Sequence, residues 1–376
     1  MPSSLTWSVV TLAAMAVIPA THEAQAVSDV TTVAPSSAPS FPQAFGCRSE
    51  SRCLWKSSSR GPSAEMYTNP VIDADFPDPE LVVAPDGTYW AYATGDPATS
   101  SIQVTSSTDL VTWAPVADAL PERPSWQPLQ VGLTWAPDVV FDGHEWRMYY
   151  VARDSASGHQ CLSIATASTP AGPFEDPSSE PFLCQHELGG SIDPHVFVDG
   201  DGSSYLFWKN DGNAIGVDTR IWVQPLAPDG WGVIGDAIDT GLQQRYPWQG
   251  DIVEAPSVVR IDDEYVMFYS ANGYWSADYA IGYATATSVT GPYADRSPVA
   301  WVSSRGDAAG PGGETTIELG GELWMAYHAW DPAAVGYENG GQRSMWLDRI
   351  VERDGTIELD GPTEGPQPVP TRETDH

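Results

Sequence analysis

The chain has 376 residues with 17 basic and 50 acidic side chains, a formal net charge of −33 at pH 7. A charge of this sign repels phosphate backbones and anionic lipid headgroups, so neither nucleic acid nor a membrane surface is expected as a partner. The chain contains 34 Gly, 33 Pro, 16 Trp and 15 Tyr but two lysines, Lys56 and Lys209. This composition suits turn-rich strands with aromatic faces better than helices, and predicts an all-β protein.

The N-terminal segment has the features of an export signal. An uncharged stretch from Trp7 to Ala20 precedes Ala24-Gln25-Ala26, which has the small-x-small pattern of a signal-peptidase site. No Lys or Arg precedes the apolar stretch, so its positive end is reduced to the amino terminus. We predict a signal peptide over residues 1–26 and a secreted, extracellular protein, and no later segment approaches the roughly eighteen unbroken apolar residues of a membrane span.

Two segments are predicted to flank the folded part of the chain. Residues 27–66 form a Ser/Pro/Thr-rich linker and a small segment with the first two cysteines, and residues 364–376 form a C-terminal tail. Four cysteines allow three pairings, and an even count in an exported chain favours disulfides over free thiols. We predict the pairs Cys47–Cys53 and Cys161–Cys184, with free buried thiols as the alternative.

A repeated hairpin occupies residues 67–363, which are predicted to form one catalytic domain. Each copy has an apolar run, a turn rich in Asp and Gly, and an aromatic-rich run. One repeat position is held by Pro79, Pro137, Pro194, Pro256 and, in the fifth copy, Thr315, at spacings of 58, 57, 62 and 59 residues. This period fits four-stranded blades and predicts a five-bladed β-propeller, whereas the alternative, an irregular β-sandwich, would not need a near-constant period.

Carboxylic acids recur where the innermost strands of the predicted blades begin. Asp78 and Asp193 directly precede a proline of the repeat, and Glu254 stands one residue earlier in its copy. Innermost strands line the channel of a propeller, so these side chains are expected to converge on one axis. Cleavage of a glycosidic bond needs one protonated carboxyl and one ionised carboxylate, and the three acids provide both. Asp-Pro is also a common turn dipeptide, which is the alternative for any single one of them.

An aromatic residue, Trp135, holds the corresponding place in the second copy. The face of a tryptophan ring suits the C–H groups of a sugar, so Trp135 is a candidate for substrate binding at the mouth of the channel. Packing in the core is the alternative, because most of the 16 tryptophans must be core residues.

Taken in order, the motifs of the chain resemble those of family 43 of the glycoside hydrolases. The resemblance covers residues 67–363, and the set of motifs carries it although each is weak alone. The motifs are Asn69-Pro70-Val71-Ile72 through Asp78-Pro79, Trp135-Ala136-Pro137-Asp138, Ile192-Asp193-Pro194, Val253-Glu254-Ala255-Pro256 and Tyr327-His328-Ala329.

The resemblance implies a five-bladed propeller that cleaves glycosidic bonds with inversion. In the family's pattern, Asp78 is the general base, Glu254 the general acid, and Asp193 the residue that tunes the pKa of the acid. His328 and Arg343 match positions near the substrate. The alternatives for these two are a core histidine and a surface ion pair.

The family implies arabinan, arabinoxylan or oligosaccharides derived from them as substrates, and we expect a monomer. An α-L-arabinofuranosidase or arabinanase is the first expectation, and residues 272–279 resemble the branch with exo-acting arabinofuranosidases. A β-xylosidase of the same fold and a carbohydrate-binding propeller without turnover are the alternatives. The Asn-Asp-Pro, Arg-Asp-Pro and Glu-Cys signatures of fructan-cleaving propellers are absent from the sequence.

The fifth copy departs from the family. Many members carry a Gly-His pair there, whose imidazole helps to hold an ion or water in the channel, and Gly313 stands at the place of that histidine. We therefore expect that the protein requires no cofactor, and we predict no residue as a metal ligand. A structural calcium would need a substitute ligand, for which Glu314 and His328 are the candidates.

Overall fold

The computed structural model describes residues 66–128 and 133–370, all of which belong to one compact unit. The predicted signal peptide, the linker up to residue 65, the pair Cys47–Cys53 and residues 371–376 of the predicted tail lie outside the described residues. No helix in the described ranges is long and apolar enough to cross a membrane.

Five antiparallel sheets follow one another along the chain as the blades of a propeller, in agreement with the sequence-based expectation. Within each blade the strands are hydrogen-bonded in chain order, from the innermost to the outermost. The described strands are β1 (Met66–Tyr67); β2 (Glu80–Val83), β3 (Tyr89–Thr94), β4 (Ile102–Ser107) and β5 (Ala117–Asp118) in blade 1; β6 (Thr134–Phe141), β7 (Trp146–Arg153) and β8 (Gln160–Ala167) in blade 2; β9 (Ser191–Val198), β10 (Ser204–Asn210), β11 (Ile221–Pro225) and β12 (Ile238–Asp239) in blade 3; β13 (Val253–Ile261), β14 (Glu264–Ala271), β15 (Ala280–Ala286) and β16 (Ala294–Asp295) in blade 4; β17 (Ala309–Leu319), β18 (Glu322–Trp330), β19 (Arg343–Arg353) and β20 (Thr356–Leu359) in blade 5; and β21 (Gln367–Pro368).

Blade 2 differs from the other four at its outer edge. Its sheet has three strands, and a single antiparallel bridge between Thr166 and Glu175 stands where the others have a fourth strand. Short 3₁₀ helices lie in the connections, at His186–Leu188, Gly212–Ala214, Pro247–Gln249 and Tyr337–Asn339. The four-stranded blade is therefore the general pattern, with one blade reduced at the rim.

Apolar side chains of neighbouring blades pack against each other in five clusters, one at each junction. Between blades 1 and 2, for example, Tyr92 and Val104 meet Met148 and Tyr150, and all four are buried. The strands therefore bury both faces, which accounts for their long apolar runs. Because the core lies between blades, the central channel is free to carry polar groups.

The two ends of the propeller domain close the ring of blades. Strand β1 pairs with β21, and the hydroxyl of Tyr67 donates to the carbonyl of Leu347 at 2.6 Å in blade 5. Asn69 donates to the same carbonyl at 3.1 Å and accepts from the N–H of Leu347 at 2.9 Å. The segment before blade 1 is thus fastened to blade 5, which joins the first blade to the last.

Polar side chains link neighbouring blades around the channel. Asp138 accepts from the N–H of Val196 at 3.2 Å in the next blade, and His195 accepts through Nε2 from Val258 at 3.0 Å in the blade after that. The Nδ1 of His195 lies 3.2 Å from Asp138 and donates to it, because Nε2 already accepts. Asp138, which follows the proline of the second copy, therefore belongs to this inter-blade network.

The disulfide Cys161–Cys184 is present, as predicted, with the two Cα atoms 4.8 Å apart. Cys161 lies on β8, and Cys184 follows Leu183, which forms a bridge to Leu162. We expect nonreducing peptide mapping of protein made under oxidising conditions to recover these two cysteines in one linked pair of peptides. Recovery of both as free thiols would contradict the assignment.

Candidate active site

The innermost strand of each blade has an unusual backbone near its start. At least one residue there has positive φ in every blade, and the equivalent ones are Asp78 (53°), Ala136 (39°), Asp193 (55°), Ala255 (52°) and Gly313 (60°). In blades 2 to 5 the pairing with the second strand also slips by one residue at this point, which is a β-bulge. Bulges redirect side chains, and a non-glycine residue in this conformation costs roughly 1–2 kcal/mol. In blades 1 to 4 the residue with positive φ is not a glycine, so the strained backbone occurs where the predicted site residues lie.

The bulge corrects the repeat alignment in blade 5. Glu254 pairs with Ser270 and the next pair is formed by Ser257, whereas in blade 5 Gly312 pairs with His328 and the next pair is formed by Thr315. Thr315 therefore corresponds to Ser257. Glu314, not Thr315 as we had predicted, occupies the proline position of the repeat. The error arose because the fifth copy has no proline to mark the position.

Asp78 is held by contacts with Thr94, Arg343 and His328, and its side chain remains partly exposed to solvent. Thr94 donates its hydroxyl to Oδ2 at 2.6 Å, and the guanidinium of Arg343 lies 3.4 Å from Oδ1. The N–H of Asp78 donates to Nδ1 of His328 at 3.1 Å, which fixes the backbone. The side chain remains 25 % exposed, so water can reach the carboxyl group.

Glu254 has a donor at each carboxyl oxygen. The ammonium of Lys209 lies 2.8 Å from Oε2, and the hydroxyl of Tyr279 donates to Oε1 at 2.7 Å. Lys209 is buried, which disfavours its charge, but Glu254 and Asp193 favour that charge and the net effect raises the pKa of Lys209. Glu254 is therefore oriented by two contacts, one of them an ion pair shielded from solvent.

Sequence reasoning missed Lys209 and Tyr279 as parts of the site. A signal for Lys209 existed, because it is one of two lysines in the chain and stands at the end of the apolar run Leu206-Phe207-Trp208. A lysine in such a run needs a charged partner when it is buried. Tyr279 carried no comparable signal, since the chain has 15 tyrosines.

Asp193 lies beside Glu254 and contacts the start of the next blade. Its Oδ2 accepts from the N–H of Ala255 at 3.0 Å. Burial, followed by the charge of Glu254, raises the pKa of Asp193 to about 8. Burial and the neighbouring charge therefore favour the protonated form of Asp193.

A further carboxyl group, that of Glu314, is buried nearby. Ser270 donates to its Oε2, while Oε1 has no hydrogen-bond partner among the described residues. Burial raises the pKa of Glu314 to about 8, with Glu254 and Asp193 among the smaller contributors. Glu314 is therefore a buried carboxyl group whose protonated form is favoured, and Ser270 orients it.

His328 lies beneath Asp78 and is fully buried. Its ring stacks on Tyr279, with the centroids 5.8 Å apart and the planes 8° from parallel. Burial holds the pKa of His328 well below its usual value, so the ring is neutral. Because Nδ1 accepts from the N–H of Asp78, the proton is on Nε2, which has no partner in the described part of the chain.

The hydrogen bonding of the His328 ring does not fit a calcium ion bound to that ring. A ring that accepts at Nδ1 and carries its proton at Nε2 has no free lone pair for a cation. A Cβ atom on Gly313 would lie 2.6 Å from the ring of His328, so the tight packing also explains the glycine. Within residues 66–128 and 133–370, one group of three metal-binding side chains is close enough to share an ion, Cys161, Cys184 and His186, and its cysteines form the disulfide. We derive no step through a metal ion.

The remaining two candidates are placed at the site in different ways. Arg343 is buried and bridges Asp78 and Tyr337, whose hydroxyl accepts from Nη2 at 2.9 Å. Trp135 is half-buried, packs against the cluster between blades 2 and 3, and holds in its blade the register position of Glu254. Contact of Trp135, His328 or Arg343 with a substrate stays a prediction.

Comparison with known proteins gives one family and several relatives. The model of "Glycosyl hydrolases family 43" matches residues 67–357. The chain is 26% identical over 242 residues to a β-D-galactofuranosidase of Aspergillus niger, covering 60% of this chain and 65% of that protein. It is 27% identical over 293 residues to an arabinoxylan arabinofuranohydrolase of Bacillus subtilis, covering 68% of this chain and 53% of that protein. The chain thus spans less than two thirds of these curated relatives.

Among solved structures, the crystal structure of a thermostable family-43 glycoside hydrolase is similar to this chain. The TM-score is 0.72 at 31% sequence identity, and the match covers 82% of this chain and 100% of that one. The likeness therefore extends over the whole of that protein.

Proposed function

The chain belongs to family 43 of the glycosyl hydrolases, and from that premise we propose that it hydrolyses arabinose- or xylose-containing plant polysaccharides with inversion of configuration. The observation that carries the proposal is that the carboxyl groups of Asp78 and Glu254 have different surroundings. Asp78 is accessible to water and is paired with Arg343, while Glu254 lies beside Asp193, whose pKa is raised by burial and by the charge of Glu254. One group can activate water and the other can be supplied with a proton.

In this proposal Asp78 is the general base. Its contacts with Thr94 and Arg343 use one edge of each oxygen and fix the orientation of the carboxylate, and its open side can receive the attacking water. His328 acts as a positioning residue, since it holds the backbone of Asp78 and is buried away from the open side.

Glu254 is the general acid in the same proposal. Glu254 gives a proton to the oxygen of the leaving group, and Asp193 beside it, whose protonated form is favoured by burial, disfavours a second negative charge at the site. Lys209 and Tyr279 hold the carboxyl group in place, and Asp193 keeps the proton within the site. All three are positioning residues that act through Glu254.

The substrate is proposed from the relatives and from the charge of the protein. One curated relative is named as an arabinoxylan arabinofuranohydrolase, and another, of Aspergillus flavus, as a probable arabinan endo-1,5-α-L-arabinosidase. The net charge of −33 suits neutral polysaccharides better than anionic ones. We propose an α-L-arabinofuranosidase or arabinanase first and a β-xylosidase second, secreted and monomeric.

The test is a parallel assay of the purified protein on aryl α-L-arabinofuranoside, aryl β-D-xyloside and linear arabinan. We expect hydrolysis of an arabinose substrate, with the first-formed sugar in the anomeric configuration opposite to that of the substrate. Proton NMR during the first turnovers distinguishes the two anomers. Retention of configuration would overturn the mechanism, and no hydrolysis of any of the three would overturn the proposed function.

A further inference from the structure

Two exposed aromatic rings lie at the rim of the pocket. Tyr274 and Trp275, in the connection between β14 and β15, are 37% and 53% exposed. Val253 at the start of β13 pairs with Ala271 at the end of β14, so this connection begins beside Glu254. The rings are therefore on the face of the propeller that carries the proposed site.

The connection is held firmly although its rings are exposed. The carbonyl of Tyr274 accepts from the indole N–H of Trp330 at 2.7 Å, and the N–H of Ser276 donates to Gly273 at 3.0 Å. The ring of Trp275 rests against Gly273, where a Cβ atom would lie 2.6 Å from it, and meets the ring of Tyr274 edge to face at 5.3 Å. The backbone of the connection is thus held by hydrogen bonds, and the two rings pack on each other and on Gly273.

The same connection contacts Glu254 directly and Asp78 through Arg343. The guanidinium of Arg343, which pairs with Asp78, lies 4.6 Å from the centre of the Tyr274 ring. At the other end of the connection, Tyr279 donates to Glu254. An exposed apolar surface of this kind, next to convergent polar groups, is typical of a ligand site.

We propose that Tyr274 and Trp275 bind a sugar ring on the leaving-group side of the bond that is cleaved. The sugar that reacts must lie between Asp78 and Glu254, both deeper in the pocket than the rim, so rim residues contact the neighbouring sugar. Tyr274 packs on Arg343 beside Asp78, and the chain runs on from there through Trp275 to Tyr279, which donates to Glu254, the proposed acid. We therefore assign Trp275 to the side of the leaving oxygen. Aromatic faces bind the C–H faces of sugar rings, and no charge is needed. This inference rests on the proposed function.

The test compares two leaving groups. One substrate is a pentose trisaccharide, α-1,5-linked arabinotriose or β-1,4-linked xylotriose, and the other is the fluoride of the same pentose, whose leaving group is one atom. We expect Trp275→Ala to lower kcat/KM on the trisaccharide about tenfold, with a loss on the fluoride at least about five times smaller. Trp275→Phe should restore most of the loss, because it keeps an aromatic face.

The matched control is Trp231→Ala. Trp231 is 45% exposed and lies between β11 and β12, at the end of blade 3 away from the pocket, so its loss should leave both rates unchanged. Equal losses on the two substrates for Trp275→Ala, or no loss on either, would overturn the proposal.

Failure of the proposed function gives a different result. If the wild-type protein cleaves neither trisaccharide nor fluoride, hydrolysis is refuted, and the rim is then tested by calorimetric titration with the two trisaccharides. A rise in Kd of about tenfold for Trp275→Ala, relative to Trp231→Ala, supports the sugar site. An unchanged Kd, or no binding to the wild-type protein, overturns it.

Discussion

Asp78→Ala and Glu254→Ala should each lower the hydrolysis of a substrate with a poor leaving group by several orders of magnitude. General acid or base help alone is typically worth about 10² to 10⁴ in rate, and each variant also removes a contact that orders the pocket. The measurement is kcat on a trisaccharide, together with thermal unfolding to show that the fold is retained. More than about a tenth of wild-type turnover in either variant would contradict the role given to that residue.

The leaving group separates the two roles. Fluoride departs with little help from an acid, so Glu254→Ala should lose much less on a pentosyl fluoride than on the trisaccharide, whereas Asp78→Ala should lose on both. Glu264→Ala is the matched control, because Glu264 is an exposed glutamate of the same blade at the end away from the pocket. It should leave both rates within about twofold, since surface substitutions away from special features have small effects.

The five-bladed architecture was predictable because the hairpin repeat is strong. Each copy shows an apolar run, and the structure explains why, since the inner strands pack against a neighbouring blade on both faces. The reduced outer edge of blade 2 was not predictable. Outer strands are as short as two residues here, as in Ala117–Asp118, and such strands have no detectable period.

The residues of the candidate site could be predicted from the sequence where they hold a position of the repeat, and could not where they lie outside such positions. Asp78 and Asp193 share a repeat position, which the prolines mark, and the shared positive φ confirms that the two positions are equivalent. Lys209 and Tyr279 have no counterparts in the other copies of the repeat. Lys209 lies on β10, the second strand of blade 3, and Tyr279 directly precedes β15, the third strand of blade 4. The contact of Lys209 with Glu254 depends on how blades 3 and 4 meet, and the contact of Tyr279 depends on how the connection before β15 folds against β13; local sequence encodes neither.

The second large effect concerns Asp193, whose pKa is raised to about 8 by burial and by Glu254. Asp193→Asn nearly preserves shape but removes one carboxyl group of the pair. Glu254 then faces Lys209 without a second carboxyl group, so the site should lose its proton at a lower pH. We expect the alkaline limb of the kcat/KM profile to move down by about one unit for each 1.4 kcal/mol of repulsion removed. The acid limb, assigned to Asp78, should move less.

Lys209→Met should shift the alkaline limb of the kcat/KM profile in the opposite direction. The ammonium of Lys209 lies among Glu254, Asp193 and Asp211 and favours their charged forms, so its removal should let the pair keep a proton to higher pH. The alkaline limb should therefore move up in this variant and down in Asp193→Asn. If Asp193 were only a turn former beside Pro194, its substitution would lower stability or rate and leave the limb in place. An unchanged upper limb in the Asn variant would reject the tuning role even if activity fell, because loss of structure alone does not change the pH at which the remaining enzyme loses its proton.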